Sequence, residues 1–98
     1  MKARLILDTK TVLSDGRIIQ RKVWSLPQPT QDRPYALKFR FYCGKAGKTI
    51  VRYDNESGKG AHRHVGVDEI ETAYKFVSLV QLLKDFEHDI IQLSGVLK

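Results

Sequence analysis

One stretch of fourteen residues, from position 52 to position 65, concentrates side chains that could move protons, bind phosphate or ligate a metal ion. Two carboxylates, Asp54 and Glu56, precede a Gly-Lys-Gly turn, and the triplet His62-Arg63-His64 follows it. Histidine titrates near neutral pH and can act as a base or as an acid. The stretch therefore predicts a site for chemistry on a phosphate-bearing partner.

The spacing of the two histidines suits the cleavage of RNA. In an extended chain His62 and His64 project to one side and Arg63 faces away, unless the loop twists. One ring would take the proton of a 2′-hydroxyl group, and the other ring or Glu56 would protonate the leaving oxygen. Arg63 or Lys59 would stabilise the charged phosphorane, and the two carboxylates would orient the histidines. The candidate catalytic residues are His62, His64, Arg63, Lys59, Glu56 and Asp54.

The same stretch allows simpler interpretations. The histidines could be ordinary surface residues of a polar loop, and Gly58-Lys59-Gly60 could be a mobile turn or a backbone anion site. Its spacing is not that of a nucleotide-binding P-loop. A divalent metal ion could also bind here, although a His-x-His pair is not diagnostic. No cofactor or metal is predicted, and the ligands of that alternative would be His62, His64, Asp54 and Glu56, with His88 as an outside candidate.

Charge is distributed unevenly along the 98 residues, whose net charge is +6. Residues 1–49 hold eleven Lys/Arg and three Asp/Glu, a net charge of +8, whereas residues 50–98 hold six and eight, a net charge of −2. A polyanion such as RNA would therefore meet the first half of the chain. The lone Cys43 and the lack of an apolar run of membrane-spanning length predict a cytoplasmic protein without a membrane partner.

The residue pattern predicts one α+β domain over residues 1–98. Alternation of polar and apolar residues indicates strands, and Asp15-Gly16 is typical of a hairpin turn. Asp68, Glu69 and Glu71 indicate a solvated acidic connector. The predicted strands cover residues 2–8, 17–24, 35–43 and 49–54, with two short additional strands at 62–65 and 74–77.

A helix is predicted at the C-terminal end. Ser78 and Gln81 form a capping box at its start, and Gly95 is a plausible stop. An apolar stripe needs a surface to lie on, and the face of the third strand supplies one. The expected fold is a single antiparallel sheet of four to six strands with a C-terminal amphipathic helix packed on one face. The stripe consists of Leu79, Leu82, Leu83, Phe86, Ile90 and Leu93.

The sheet face opposite the helix is the predicted RNA-binding surface. Basic side chains interleaved with an aromatic ring suit RNA, because cations contact phosphates and a ring can stack on an unpaired base. A merely solvated sheet face is the alternative, although such a face usually mixes charges. Trp24 is predicted to pack in the core or at the edge. The residues expected to share the binding face are Lys2, Arg4, Lys38, Arg40, Tyr42 and Arg52.

The chain resembles the TumE-like toxins over nearly its whole length. The resemblance rests on residues 51–60 and 62–66, which contain Tyr-Asp-Asn-Glu, Gly-Lys-Gly and His-Arg-His, and on the segments 74–76 and 78–86. It implies a toxin of a prokaryotic toxin–antitoxin module, neutralised by a cognate antitoxin that is typically DNA-binding. No catalytic residues carry over from the family. The acidic connector at 68–71 has no place in the family pattern.

The residues and the resemblance together favour a toxin that cleaves RNA as a metal-independent endoribonuclease. Three alternatives remain open at this point. The protein could bind RNA or a ribosome without catalysis, or it could be a metal-dependent nuclease or nucleotidyltransferase. It could also be a partner-only protein with a degenerate site, which would bind through its helix or an open sheet edge.

Overall fold

The computed structural model describes residues 3–56, 58 and 60–93. A six-stranded antiparallel sheet is followed by one helix, which confirms the predicted α+β class, and the strands lie side by side in chain order. Each strand therefore pairs with its neighbours in sequence. The elements are β1 (Arg4–Val12), β2 (Ile18–Ser25), β3 (Leu37–Lys45), β4 (Lys48–Asp54), β5 (His62–Val65), β6 (Ile70–Ala73) and α1 (Leu79–Leu93).

Tight turns between the strands follow from local sequence. Gly16 (φ 93°) turns the chain between β1 and β2, and Ala46 (φ 52°) with Gly47 (φ 76°) turns it between β3 and β4. These left-handed backbone conformations favour glycine. The predicted hairpins are therefore present, and β5 has the predicted bounds.

The predicted strand at 74–77 is wrong. The last strand lies four residues earlier, because the chain turns back within residues 66–69 and pairs Val65 with Ile70. Glu71 thus belongs to a strand and not to a solvated connector. Tyr74 follows the strand, and its backbone N–H donates to the carbonyl of Ala61.

Helix α1 begins where the capping residue predicts. The Ser78 side-chain oxygen accepts a hydrogen bond of 3.0 Å from the Gln81 backbone N–H, which satisfies one of the free donors at the helix start. Leu82 and Phe86 are buried on the sheet side. The predicted stop at Gly95 lies outside the described residues. None of the helical segments in the described chain has the length and apolar character needed to cross a membrane.

The core lies between α1 and one face of the sheet. Phe86 makes edge contacts with Phe41 and Tyr53, at ring-centroid distances of 5.1 and 6.1 Å. The Arg21 guanidinium covers the Phe86 ring at 5.3 Å and closes this side of the core with its apolar stem. The helix therefore covers one face and leaves the other face of the sheet open.

Asn55 joins the end of β4 to the start of β3. The side chain is fully buried; it accepts a hydrogen bond from the Phe39 N–H (2.8 Å) and donates to the Leu37 carbonyl (2.8 Å) and the Tyr35 hydroxyl (3.0 Å). Arg33 Nε donates to the Asn55 carbonyl at 2.9 Å. These bonds fix the point where the chain leaves β4 for the glycine-containing loop.

Candidate functional site

Both histidines of the triplet lie on the open face. The register pairs His62 with Asp54 and His64 with Arg52, whereas Arg63 pairs with Tyr53 on the helix side. Paired residues of antiparallel strands point to the same side of the sheet. The prediction that the two histidines project together and Arg63 faces away is confirmed.

His62 is held through one ring nitrogen. Nδ1 lies 3.0 Å from the carbonyl oxygen of Gly60, and a carbonyl can only accept a hydrogen bond. Nδ1 therefore carries the proton in the neutral ring, and Nε2 keeps a free lone pair. Gly60 has a φ of 73°, a left-handed conformation that aims its carbonyl back at the ring with little strain because glycine lacks a Cβ.

His64 lies between two carboxylates. Its Nε2 is 3.8 Å from Asp54 Oδ2 and 3.5 Å from Glu71 Oε1. His64 and Asp54 are both buried, although they lie on the open face. Two acceptors beside one nitrogen favour the ring form with a proton on Nε2. The two histidines thus have different surroundings, which suits them to different roles.

Arg52 lies in register with His64 and forms ion pairs with two carboxylates. Its Nη1 lies 3.0 Å from Asp54 Oδ2, and its Nε lies 3.2 Å from Glu69 Oε1. The Nε–H is buried and not aligned for a hydrogen bond to any partner in the described chain, so the contact with Glu69 is an ion pair without a hydrogen bond. Thr49 Oγ1 donates to the same Glu69 oxygen at 3.2 Å. Arg52 was predicted as an RNA-binding residue, but it lies within the histidine site.

Most of the side chains that were predicted to share the open face do share it, whereas RNA binding by this face stays a prediction. Register pairs Tyr42 with Arg52, and Arg40 with both Lys22 and Asp54. Lys38, Arg40, Tyr42 and Arg52 therefore share one face, as predicted, and the register places both histidines on that face as well. Lys22 is an additional cation of this face, and sequence analysis missed it because the alternation of the second strand is imperfect.

Two aromatic rings lie on this face. Trp24 is half-buried opposite Lys38, whose ammonium group is 5.1 Å from the centre of the indole ring. The ring is therefore on the open face and not in the core, which was one of its two predicted places. Tyr42 extends over Gly44, since a Cβ added there would lie 2.0 Å from the tyrosine hydroxyl oxygen. The Tyr42 side chain thus extends along the sheet over Gly44.

Arg4 does not belong to this row of side chains. A β-bulge between Leu5 and Leu7 shifts the register, so that Leu5 lies opposite Trp24 and Arg4 opposite Ser25. Strict alternation had predicted Arg4 on the open face, and the extra residue of the bulge reverses its side. Lys2 lies outside the described residues.

Arg63 binds the helix and not the site. Its Nε and Nη2 donate to the two carboxylate oxygens of Asp89 at 2.8 and 3.0 Å, a bidentate pair with strong geometry. The hydrogen bond to Asp89 raises the pKa of Arg63 above its ordinary value. The predicted role of Arg63 as a phosphorane clamp is therefore wrong, because strand alternation turns it away from His62 and His64.

Asp89 also accepts a hydrogen bond from the Tyr53 hydroxyl. Burial, together with this bond, raises the pKa of Tyr53 well above its ordinary value. The neighbouring Tyr74 binds Asp85 of the same helix in the same manner. Sequence analysis missed the role of Asp89, although its place three residues after Phe86 on the buried side of the helix is the signal that could have found it.

We expect replacement of Arg63 by alanine to lower stability and leave the open-face site intact. Asp89 would lose its bidentate partner next to the core, at a cost of about 1–3 kcal/mol in the free energy of unfolding, because the pair is partly exposed. Urea unfolding and a cleavage assay at a temperature where the variant stays folded measure the two effects. Arg52→Ala is the comparison variant: it also leaves a buried carboxylate, Asp54, without this ion-pair partner, so we expect a loss of stability together with a fall in cleavage. Equal losses of cleavage in both variants would contradict this assignment.

The glycine-containing loop after β4 forms a hydrogen bond with Asp32, in the segment between β2 and β3. The backbone N–H of Gly58 donates to Asp32 Oδ2 at 2.6 Å, and this hydrogen bond lowers the pKa of Asp32. The backbone N–H of Gly58, one of the groups considered as an anion site, thus already binds a carboxylate of the same protein. Glu56 is exposed beyond the end of β4, and no hydrogen bond or ion pair joins it to either histidine in the described chain. Lys59 lies outside the described residues.

The described part of the chain contains no cluster of side chains suited to bind a metal ion. No group of three His, Cys, Asp or Glu side chains there is placed to hold a metal ion. His88 lies exposed on α1, far along the chain from the two site histidines. The interpretation without a metal stays a prediction, which removal of divalent ions in an activity assay would test.

The family model described as Toxin TumE matches residues 2–94. The chain belongs to the TumE toxin family. It is therefore a toxin of a toxin–antitoxin module and has a cognate antitoxin as its partner. Neither a search of curated proteins nor a search of solved structures finds a match. Chemical assignments for this TumE protein thus rest on its own residues.

Proposed function

We propose that this TumE toxin is a metal-independent endoribonuclease whose active site is the histidine pair on the open face of the sheet. The observation that carries the proposal is that His62 and His64 share this face with a row of cations and two aromatic rings. RNA offers phosphates to the cations and unpaired bases to the rings. The site and the binding surface would then form one continuous face.

His62 would be the general base. Its Nδ1 is engaged by the Gly60 carbonyl, so the lone pair of Nε2 is available to take the proton of a ribose 2′-hydroxyl group. The 2′-oxygen then attacks the adjacent phosphorus and forms a phosphorane. General base catalysis of this kind typically contributes 10²- to 10⁴-fold to a rate.

His64 would be the general acid and Arg52 the cation of the transition state. The proton on Nε2 of His64, now flanked by carboxylates, would pass to the 5′-oxygen as its bond to phosphorus breaks. Arg52 would stabilise the negative charge of the phosphorane. The products are a 2′,3′-cyclic phosphate and a 5′-hydroxyl group, and the two histidines exchange protonation states in one turnover. Asp54 touches Arg52 and lies near His64, so it would position both groups.

The remaining open-face residues would bind the RNA strand. Tyr42 extends over Gly44 and would stack on an unpaired base, a contact that contributes about 1–3 kcal/mol per base. Trp24 already has a cation above its ring, which RNA would have to share or displace. Lys22, Lys38 and Arg40 would contact phosphates. A positively charged face of this kind predicts binding that weakens as salt is raised.

The direct test incubates purified toxin with an end-labelled single-stranded RNA in excess chelator. We expect cleaved fragments with 2′,3′-cyclic phosphate ends, and growth arrest in cells that express the toxin without its antitoxin. Arg52→Ala should lower the cleavage rate by roughly 10²-fold. Shifted but uncut RNA would favour binding without catalysis, and cleavage that needs an added divalent ion would favour a metal-dependent enzyme.

A further inference from the structure

Two glutamates of the segment between β5 and β6 point their carboxylates at the proposed catalytic groups. Glu69 lies in the turn after β5, and its Oε1 is 3.2 Å from Arg52 Nε. Glu71 lies on β6 in register with His64, and its Oε1 is 3.5 Å from His64 Nε2. The acidic segment that the family pattern did not explain is therefore part of the open-face site.

The contacts of these glutamates are those that phosphate oxygens would make. Arginine and histidine bind carboxylate and phosphate oxygens through the same charge-assisted contacts. In the free protein both groups are thus already paired with acidic oxygens. An RNA phosphate that binds Arg52 Nε or His64 Nε2 would have to take the place of a carboxylate.

These glutamates are more exposed to solvent than Asp54, the third carboxylate of the site. The Asp54 side chain is 9% exposed, whereas those of Glu69 and Glu71 are 43% and 45% exposed. A half-exposed glutamate can rotate into water at small cost, since an exposed ion pair contributes only about 0–1 kcal/mol. Asp54 is enclosed and would stay in place. The two glutamates are therefore the carboxylates that a ligand can displace.

We propose that Glu69 and Glu71 act as internal substitutes for phosphate, which occupy Arg52 and His64 in the free toxin until RNA phosphates displace them. The proposal rests on the proposed function of the open face. Both carboxylates would hold the cationic groups in position before RNA arrives. Both would also lower the affinity of the site for any polyanion.

Binding of an uncleavable RNA tests this proposal. The probe is a fluorescent single-stranded 2′-O-methyl oligonucleotide, which has no free 2′-hydroxyl group to attack the phosphorus, titrated with toxin at low salt. We expect Glu69→Gln and Glu71→Gln each to tighten binding by roughly two- to fivefold, which corresponds to the loss of one competing exposed ion pair. The double variant should bind more tightly than either single variant.

Asp68→Asn is the matched control. Asp68 lies in the same segment and is exposed, and in the described chain no ion pair joins it to Arg52 or His64. The change in net charge is the same as in each glutamate variant, so general attraction to RNA rises equally. We expect its affinity to rise less than that of either glutamate variant, because only the general charge effect remains. Cooperative thermal unfolding of each variant shows that the fold is retained.

The outcomes distinguish this proposal from the function on which it rests. If wild-type toxin binds the oligonucleotide and Arg52→Ala weakens binding, but the glutamate variants bind no more tightly than Asp68→Asn, the role of the glutamates is refuted alone. Weaker binding by Glu69→Gln or Glu71→Gln refutes it too. If wild-type toxin neither binds this probe nor cuts RNA, the proposed function fails and the role of the glutamates fails with it.

Discussion

Replacement of His62 or His64 by alanine is expected to lower the rate of RNA cleavage by about 10²- to 10⁴-fold and to abolish growth arrest. Each ring has one role in a single proton-transfer cycle, so loss of either ring stops the cycle. Because the two groups act as a unit, the double variant should be little slower than the slower single variant. Initial rates on a labelled RNA, measured with enzyme in excess, give these values.

His88→Ala is the control for the histidine variants. His88 is exposed on α1, on the other side of the sheet from the site, and its replacement should leave cleavage at the wild-type rate. His64 is buried, so thermal unfolding must show that His64→Ala still folds cooperatively. Folded His62→Ala and His64→Ala proteins that cut RNA as fast as His88→Ala would refute the catalytic assignment.

Replacement of Asn55 by alanine is expected to give the largest loss of stability among single changes near the site. The backbone N–H of Phe39 and the carbonyl of Leu37 would both lose their side-chain partner in a buried place. Each buried polar group left without a partner costs about 1–3 kcal/mol, so we expect the free energy of unfolding to fall by about 2–4 kcal/mol. Urea unfolding at neutral pH measures it.

Glu56→Ala provides the comparison for Asn55→Ala. The two residues are neighbours in sequence, but Glu56 is exposed, and an exposed substitution typically changes stability by less than about 0.5 kcal/mol. Similar unfolding midpoints for both variants would show that Asn55 does not join β3 to β4 as its hydrogen bonds indicate. Asn55 lies directly after Asp54, so its loss should also loosen the strand end that carries part of the site.

The fold was predictable because its determinants are local. Alternation along β3 and β4, glycines in the turns and the Ser78 cap each specify one element, and these features agree with the antiparallel sheet and helix. The position of β6 was not predictable in this way. Its alternation is weak, and its start depends on the tight turn after Gly66, which pairs Val65 with Ile70.

The site was predictable in part, for a related reason. Period-two alternation correctly places His62 and His64 on one face. The same alternation places Arg63 on the opposite face, where it cannot stabilise a phosphorane held by the histidines. The partners of the histidines come from other strands, so only the register could identify Arg52 and Glu71 as their neighbours. A bulge, which leaves no clear mark in the sequence, moved Arg4 out of the face.

The central claim is that two histidines on the open face cut RNA through its own 2′-hydroxyl group. The most direct measurement maps one cleavage position in a short RNA and replaces the single ribose before that bond with deoxyribose. We expect the wild-type toxin to stop cutting at that bond, while cuts elsewhere continue and leave 2′,3′-cyclic phosphate ends. Continued cleavage at the deoxyribose position would contradict the proposed mechanism, because no 2′-hydroxyl group would be present for His62 to deprotonate.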